Sequence, residues 1–212
     1  MSDLVDLTLK TFADTLASDS PAPGGGSASA AAGAFGAGLL GMAVRLTLGK
    51  EKYRDSWEEL TPVARIADET RAHLLELVDE DTRAFDGIMA ARKLPKGTDE
   101  EKAARKEAID RATLVATTTP MQTAEFSAKL LEKAPLVLEK GNPNCASDAW
   151  VGSLLLHAAV EGALANVKIN LPGVSDPEVS KGFQEEAAEI AAKAREALDQ
   201  ARAKAGGHLL LA

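Results

Sequence analysis

Aromatic residues are scarce in this chain of 212 residues. They make up only 4% of the sequence, whereas hydrophobic residues make up 45%, and alanine is abundant. This composition excludes a core built on large rings, as in many β-sandwiches, and favours helices that pack closely together. The sequence therefore predicts an all-α protein.

Cysteine and histidine are also scarce. The single cysteine, Cys145, excludes an internal disulfide, and His73, His157 and His208 are scattered without metal-ligand spacing. The first six residues lack the basic start and apolar centre of a secretory signal. We therefore expect a cytoplasmic protein that contains no metal.

Positive charge is in the minority, with 24 lysine and arginine residues against 32 aspartate and glutamate residues. The formal net charge of -8 argues against a general nucleic-acid surface, which needs a dense basic patch. We expect no nucleic-acid partner, and any anionic ligand must meet positive charge locally.

The segment Pro21–Ser27 combines two prolines with three consecutive glycines. Proline removes N–H donors, and glycine lets a ligand or a second backbone come close. We expect Ser27 to cap the helix that follows. The segment lacks the lysine and the preceding strand of a nucleotide-binding loop, so we expect no nucleotide cofactor. A plain helix linker is the alternative interpretation.

The next stretch, residues 28–44, carries no charge. Small residues recur along it at every fourth position: Ser29, Gly33, Ala37 and Gly41. This stripe predicts a closely packed central helix or a helix at a subunit interface. A transmembrane span is the rival interpretation, but glycine, alanine and serine predominate and no second uncharged run exists, so we expect no membrane segment.

Prolines and glycines divide the rest of the chain into helical segments without a long linker. We predict one domain over residues 1–212, a compact bundle of roughly six to eight helices. The predicted helices are Asp3 to about Ala17, Ser27 to about Leu48, Ser56 or Thr61 to about Lys93, Asp99 to about Thr118, Pro120 onward with a break at Pro135, Asp148 to about Lys168, and Pro177 to about Ala205. Capping boxes are predicted at Ser56–Glu59 and Thr98–Glu101.

Four stretches are more polar or more constrained than packing requires: the glycine segment, the turn with Lys50 and Lys52, the acidic run Asp79–Asp81, and Gly141–Asp148. Each has a structural alternative, namely a linker, a helix C-terminus, a solvated face or a helix cap.

A polar stripe also runs from Asp148 to Asn166. Because these two residues are ~27 Å apart on a helix, Asn166 and also Asn170 should serve a separate contact or a neighbouring subunit.

Taken in order, five segments resemble the cyclodeaminase/cyclohydrolase family of folate enzymes. They are Pro21–Ser27, Leu46–Tyr53, Asp81 through Ala84–Phe85, Leu94–Lys96 with Glu100–Ala103, and Gly141–Asn142 with Ser147–Asp148. The resemblance implies an all-helical homodimer with a folate groove near the subunit interface, and the formimidoyltransferase half of the bifunctional members is absent. Glu51 stands where relatives usually carry a third basic residue.

The resemblance also implies the reaction. We expect hydrolysis of 5,10-methenyltetrahydrofolate to 10-formyltetrahydrofolate, with a tetrahydrofolate derivative as the substrate. The first alternative is a formiminotetrahydrofolate cyclodeaminase that releases ammonia. The second is a non-catalytic helical protein whose small-residue stripe mediates dimerisation. A separately encoded formimidoyltransferase or folate dehydrogenase is the expected protein partner, besides a second copy.

The residue roles follow from the same resemblance. Asp148 or Asp81 is the predicted acid/base carboxylate, and Lys50 is its charged partner. The other predicted substrate-binding residues are Pro23, Gly24, Gly25, Gly26, Ser27, Lys52, Tyr53, Asn142, Asn144 and Ser147.

Overall fold

The computed structural model describes residues 3–209, and its regular elements in that range are all helical. The α-helices are α1 (Leu9–Leu16), α2 (Gly25–Leu48), α3 (Trp57–Arg92), α4 (Asp99–Leu131), α5 (Ala134–Lys140), α6 (Ala146–Asn170) and α7 (Pro177–Leu209). Short 3₁₀ helices cover Leu4–Asp6, Glu51–Ser56, Pro143–Cys145 and Leu171–Gly173. The prediction of an all-α bundle of six to eight helices is confirmed.

The structure corrects one predicted helix start and one predicted capping box. The chain does not form one helix from Asp3, because a 3₁₀ turn comes first and α1 begins after Thr8, whose hydroxyl accepts the N–H of Thr11. The helix α3 begins at Trp57 with Ser56 as its N-cap residue, so the Ser56 start is confirmed and Pro62 lies inside the helix. Ser56 makes no side-chain cap, however, so the capping box predicted at Ser56–Glu59 is wrong. Thr98 and Glu101 form the predicted capping box, in which each side chain accepts a hydrogen bond from the backbone N–H of the other residue.

Pro120 does not begin a helix but lies buried within α4. A proline inside a helix leaves the carbonyl four residues earlier without its usual partner. Here the amide Nδ2 of Asn170 donates to that carbonyl, on Ala116, at 2.6 Å. The helix continues through Pro120 because a side chain from α6 replaces the missing backbone donor.

The bundle is built around α2, which packs against both α3 and α6. At the crossing of α2 and α6, the two backbones nearly touch. A Cβ added to Gly36 would lie 2.8 Å from the Gly152 carbonyl oxygen and 3.0 Å from the backbone nitrogen of Leu156. Only glycine permits this approach, so the predicted close packing of the small-residue helix is confirmed.

The contacts on one side of this crossing show that α2 and α6 are antiparallel. Gly33 faces Ala159, and Ser29, nearer the start of α2, faces Gly162, nearer the end of α6. The N-terminus of α2 therefore lies beside the C-terminal half of α6. This register brings Asn166 to the glycine segment.

Two helical segments within residues 3–209 are long and apolar enough to span a membrane by length and composition: Gly25–Leu48 and Pro143–Gly173. The second carries charged residues, so the sequence search for uncharged runs did not find it. In the first, 56% of the apolar window is buried within the bundle, and in the second 39%. Both are central helices of the fold.

The α2–α6 crossing generates a stability prediction. Gly36→Ala should lower the free energy of unfolding by about 1–3 kcal/mol, because the added methyl meets backbone that cannot move aside easily. Chemical denaturation followed by circular dichroism measures this change.

Gly87→Ala is the matched control, since a Cβ there meets no atom within 4 Å inside α3. It should raise the free energy of unfolding by about 0.5–1 kcal/mol through helix propensity alone. Equal effects of the two substitutions would contradict close backbone contact at Gly36.

Candidate active site

The N-terminus of α2 is capped by a carboxylate from α3. The helix begins at Gly25, and its N-cap residue, Gly24, has no side chain to use. Ser27 was predicted to be the cap, which is wrong, because it lies within the first turn. Its backbone N–H instead donates to Oδ2 of Asp81 at 2.8 Å, and its hydroxyl donates to the same oxygen at 3.1 Å.

The glycines leave room for this carboxylate and for an amide from α6. A Cβ on Gly26 would overlap with the carboxylate of Asp81. A Cβ on Gly25 would lie 3.2 Å from Nδ2 of Asn166, which donates to its own helix at Gly162. We call Gly25, Gly26, Ser27, Asp81 and Asn166 the glycine-end site.

The environment of Asp81 changes its acidity. Burial raises the pKa of its carboxyl group above the ordinary value of 3.8, and the hydrogen bonds from Ser27 oppose this rise without cancelling it. A half-buried carboxylate with a raised pKa can take up and return a proton closer to neutral pH than an exposed aspartate can. The glycine-end site thus contains a carboxyl group with a chemistry suited to proton transfer.

The opposite end of α2 holds a second polar cluster. The Tyr53 hydroxyl donates to Oδ1 of Asn142 at 3.0 Å, and the backbone N–H of Asn144 donates to the same oxygen at 3.2 Å. The backbone N–H of the buried Asn142 donates to the hydroxyl of Thr47 at 2.9 Å. We call Thr47, Tyr53, Asn142 and Asn144 the tyrosine-end cluster.

Four further predicted residues are near this cluster in the sequence. The Nζ of Lys52 lies 4.6 Å from the centre of the Tyr53 ring. Lys50 is exposed just after α2, and Asp148 is half-buried in the first turn of α6. Ser147 is exposed beside Asp148 and supplies no cap to α6.

The two groups cannot form one site within a protomer. The helix between them has 24 residues, which corresponds to ~35 Å at the helical rise. Gly25 and Lys50 therefore line no common cavity within one copy of the chain. The separation expected between Asp148 and Asn166 is confirmed, since Asn166 belongs to the glycine-end site.

Sequence reasoning missed parts of both groups. Asn166 was assigned to a separate contact, and Thr47 was not singled out at all. Only the antiparallel register of α2 and α6 brings Asn166 to Gly25. For Thr47 the available signal was a threonine one turn from the end of an apolar helix, which is too common to be specific.

A cavity of about 820 Å³ lies elsewhere, between the C-terminal half of α6 and the N-terminal half of α7. Leucine and alanine form much of its wall, together with Glu161, Lys168 and Arg195. None of the predicted residues lines it. The volume of this cavity does not by itself identify it as the active site, because the hydrogen bonds from Ser27 and the raised pKa are both found at Asp81.

Among the residues that the structure describes, no three histidine, cysteine, aspartate or glutamate side chains are grouped to hold a metal ion. The sequence prediction of a metal-free protein stays a prediction.

The all-helical fold and the glycine-end site agree with the comparisons to known proteins. The family model for formiminotransferase-cyclodeaminase matches residues 8–189. The chain belongs to this family. The resemblance seen in the sequence is therefore confirmed.

Individual relatives divide into stand-alone and bifunctional proteins. The chain is 41% identical over 179 residues to a methenyltetrahydrofolate cyclohydrolase of Methylorubrum extorquens, covering 84% of each chain. It is 36% identical over 176 residues to the rat formimidoyltransferase-cyclodeaminase, covering 82% of this chain but only 32% of the rat protein. The chain thus spans about a third of the bifunctional relative.

A solved structure shares the whole fold. It is a formiminotetrahydrofolate cyclodeaminase from Thermotoga maritima, 29% identical, with a TM-score of 0.85 over 95% of this chain and 97% of that one. These relatives are named as enzymes, so the alternative of a non-catalytic dimerisation protein is not retained.

The raised pKa of Asp81 generates a prediction about stability. A carboxyl group whose pKa is raised in the folded state favours folding when protonated, and this contribution is lost as pH rises through the raised pKa. Asp81→Asn should therefore be at least as stable as the wild type at neutral pH, because an amide oxygen still accepts the Ser27 N–H. Thermal unfolding from acid to neutral pH should show the wild type losing stability relative to the variant.

Asp86→Asn, at an exposed position of α3, is the control and should change the free energy of unfolding by less than about 0.5 kcal/mol. A marked loss of stability in Asp81→Asn at neutral pH would contradict this prediction, because it would show that the ionised Asp81 carboxylate stabilises the fold by capping α2.

Proposed function

We propose that this chain hydrolyses 5,10-methenyltetrahydrofolate to 10-formyltetrahydrofolate, with Asp81 as the acid/base group. The family places the chain in folate one-carbon chemistry. The observation that carries the residue assignment is the half-buried Asp81 carboxylate, held by Ser27 at a helix start that is bare of side chains.

The comparison with the cyclohydrolase relative supports this reaction. The match covers 84% of both chains, so the relative has no large additional domain to supply a formimino group. The bifunctional relatives instead contain this unit as about a third of their length.

The reacting carbon of the substrate lies between N5 and N10 and shares a positive charge with them. The Asp81 carboxylate stabilises this cation and accepts a proton from water as the water oxygen bonds to the carbon. The carboxyl group then gives that proton to N5 as the bond from N5 to carbon breaks. The hydroxyl proton of the intermediate passes to solvent, and the formyl group stays on N10.

The start of α2 provides donors for the oxygen that forms. The first N–H groups of a helix have no carbonyl partner within it. Gly26 is buried beneath the Asp81 carboxylate, whereas Gly25 is exposed, so a substrate oxygen can approach the N–H group of Gly25. Asn166 adds an amide beside Gly25 that can orient the pteridine ring.

A cyclodeaminase is the second candidate, and one observation favours it. The solved structure with the same fold over 97% of its length is a formiminotetrahydrofolate cyclodeaminase. In that reaction N10 attacks the formimino carbon and ammonia leaves. The same carboxyl group would protonate the departing nitrogen, so the glycine-end site suits both reactions.

One assay separates the two reactions. Pure protein is mixed with methenyltetrahydrofolate or with formiminotetrahydrofolate, while the methenyl absorbance and the ammonia released are followed. We expect the methenyl absorbance to fall with the first substrate and little ammonia from the second.

In the same assay Asp81→Asn should lower kcat by about 10²–10⁴-fold, which is the usual contribution of a general acid/base. Near-normal turnover in this variant would remove Asp81 from the mechanism. Rapid ammonia release with no hydrolysis would make the chain a cyclodeaminase.

We also propose that the active protein is a homodimer. Apolar side chains remain exposed on neighbouring faces of α2 and α6, among them Phe35 at 54% exposure, Leu46 and Val151. The two faces adjoin, because a Cβ on Gly152 would lie 3.3 Å from the Cβ of Leu39. A second copy related by a twofold axis would cover this surface.

A twofold axis across the middle of α2 would place the N-terminus of α2 in one subunit beside the C-terminus of α2 in its partner. The glycine-end site of one subunit would then face the tyrosine-end cluster of the other subunit. Lys50, which the sequence predicted to act together with the carboxylate, lies beside that cluster. This arrangement would unite residues that lie ~35 Å apart within one protomer.

A subunit-mixing experiment tests the shared site. Asp81→Asn and Lys50→Ala are each expected to be inactive, and each would spoil a different half of the site. Denatured and refolded together in equal amounts, they should recover about a quarter of wild-type activity, because half of the dimers are mixed and each of those has one intact site.

Each variant refolded alone is the control, and native mass spectrometry shows whether mixed dimers form. Mixed dimers without activity would contradict a shared site, and a fully active Lys50→Ala protein would exclude this lysine from it.

A further inference from the structure

The two oxygens of the Asp81 carboxylate have different surroundings. Both hydrogen bonds from Ser27, from its backbone N–H at 2.8 Å and from its hydroxyl at 3.1 Å, go to Oδ2. Within residues 3–209, no protein group donates a hydrogen bond to the other oxygen, Oδ1, which lies over Gly26. Oδ1 is not one of the buried polar atoms that lack a partner in that range, so it is accessible to solvent. Oδ2 is therefore anchored, and Oδ1 is left to exchange a proton.

The hydroxyl of Ser27 has a second neighbour besides Asp81. Thr82 directly follows Asp81 in α3, and its Oγ1 lies 3.3 Å from Oγ of Ser27. Ser27 is fully buried, so its hydroxyl must find its partners within the protein. Among the residues that the structure describes, those partners are Asp81 and Thr82.

The directions of these two hydrogen bonds follow from the charge on Asp81. Each hydroxyl has one proton to donate. A hydrogen bond to a carboxylate is stronger than one to a neutral hydroxyl, so the proton of Ser27 points to Oδ2 of the ionised Asp81. The oxygen of Ser27 then accepts the proton of Thr82. We call this chain of donors, from Thr82 through Ser27 to Asp81, the hydroxyl relay.

The groups that reach Asp81 from the neighbouring helices are uncharged. They are Ser27 and the glycines at the start of α2, with the amide of Asn166 from α6 beside them. The nearby charged side chains of α3 are bonded to the segment before α1 or exposed to solvent: Asp79, Glu80 and Arg83. Burial and the hydrogen bonds from Ser27 therefore set the pKa of Asp81.

We propose that Thr82 is a positioning residue that acts through Ser27 to hold Oδ2 of Asp81, so that Oδ1 exchanges the proton with the substrate. This inference rests on the proposed function. When Asp81 takes a proton from the attacking water, the proton goes to Oδ1 while Ser27 continues to donate to Oδ2. The same oxygen then gives the proton to N5. Thr82 bonds to Ser27 and not to Asp81, so its role is indirect.

A titration of the Asp81 carboxyl group tests the hydroxyl relay. NMR of isotope-labelled aspartate carboxyl carbons follows its ionisation, and the Asp81 signal is the one that Asp81→Asn lacks. Thr82→Val keeps the shape of the side chain but removes the hydroxyl that directs Ser27 to Oδ2. We expect the pKa of Asp81 to rise in this variant, because the ionised form is less stabilised. Thr82→Ala should show the same rise, and Thr82→Ser, which keeps a hydroxyl, should titrate like the wild type.

The pH profile of turnover separates a positioning role from a merely structural one. In Thr82→Val, kcat for methenyltetrahydrofolate should fall about two- to threefold on the acidic side of the profile, where protonation of Asp81 limits the rate. At the pH optimum kcat should match the wild type, and KM should be unchanged throughout, because the Thr82 hydroxyl bonds to Ser27. An equal loss of kcat at every pH would overturn the inference.

Thr61→Val is the matched control. It makes the same change in the same helix ~30 Å away, where the Thr61 hydroxyl donates to the carbonyl oxygen of Trp57 in its own helix at 2.6 Å. It should leave the titration of Asp81 and both kinetic constants unchanged. A Thr82→Val protein that titrates like the wild type, or a Thr82→Ser protein that titrates like Thr82→Val, would contradict the hydroxyl relay.

Combined substitutions test whether Thr82 acts through Ser27. The Ser27 hydroxyl lowers the pKa of Asp81, so Ser27→Ala should raise this pKa by more than Thr82→Val does. In Ser27→Ala/Thr82→Val the carboxyl group should titrate as in Ser27→Ala alone, because the relay is already broken. A further rise in the double variant would show that Thr82 acts on Asp81 directly, against the inference.

The titration requires no turnover, so it separates this inference from the proposed function. If the titration shifts as expected but methenyltetrahydrofolate is not hydrolysed, the proposed reaction fails and the hydroxyl relay stands. If the folate is hydrolysed and Asp81→Asn is inactive, but the Asp81 carboxyl group titrates identically in the wild type and all Thr82 variants, the relay fails and the reaction stands.

Discussion

The backbone contact between α2 and α6 determines where the functional groups of this protein lie. Gly36 and Gly152 bring the helices so close that their register cannot slip without a clash. That register places Asn166 beside Gly25 at one end. It places the Asn142 backbone against the Thr47 hydroxyl at the other. A stripe of residues with almost no side chain thus positions polar groups at both of its ends.

At the glycine end, stability and chemistry make opposite demands on Asp81. The carboxylate satisfies the free N–H of Ser27, yet its burial raises its pKa and disfavours the ionised form. A neutral cap would serve the helix without that cost. The proposed reaction needs a group that both stabilises a substrate cation and exchanges protons, and a carboxylate in this position meets that need.

The sequence predicted the helical class, the helical bundle, the Thr98–Glu101 cap and the close packing of α2, because each depends on residues near one another in the chain. The role of Ser27 was misread, since its partner Asp81 is 54 residues away. Pro120 was read as a helix start for the same reason. Asn170, 54 residues from Ala116, donates to the Ala116 carbonyl in place of the missing backbone N–H and lets α4 continue.

The amino-acid sequence by itself determined that the chain is a helical member of a folate enzyme family, and it supplied candidate residues for the chemistry. The tertiary structure decided how those residues are grouped. It joined Asp81 to the glycine segment and Tyr53 to Asn142, and it separated the two groups by the length of α2. Local patterns encode helices through neighbours one turn apart, whereas a site depends on which helices pack together and in which register.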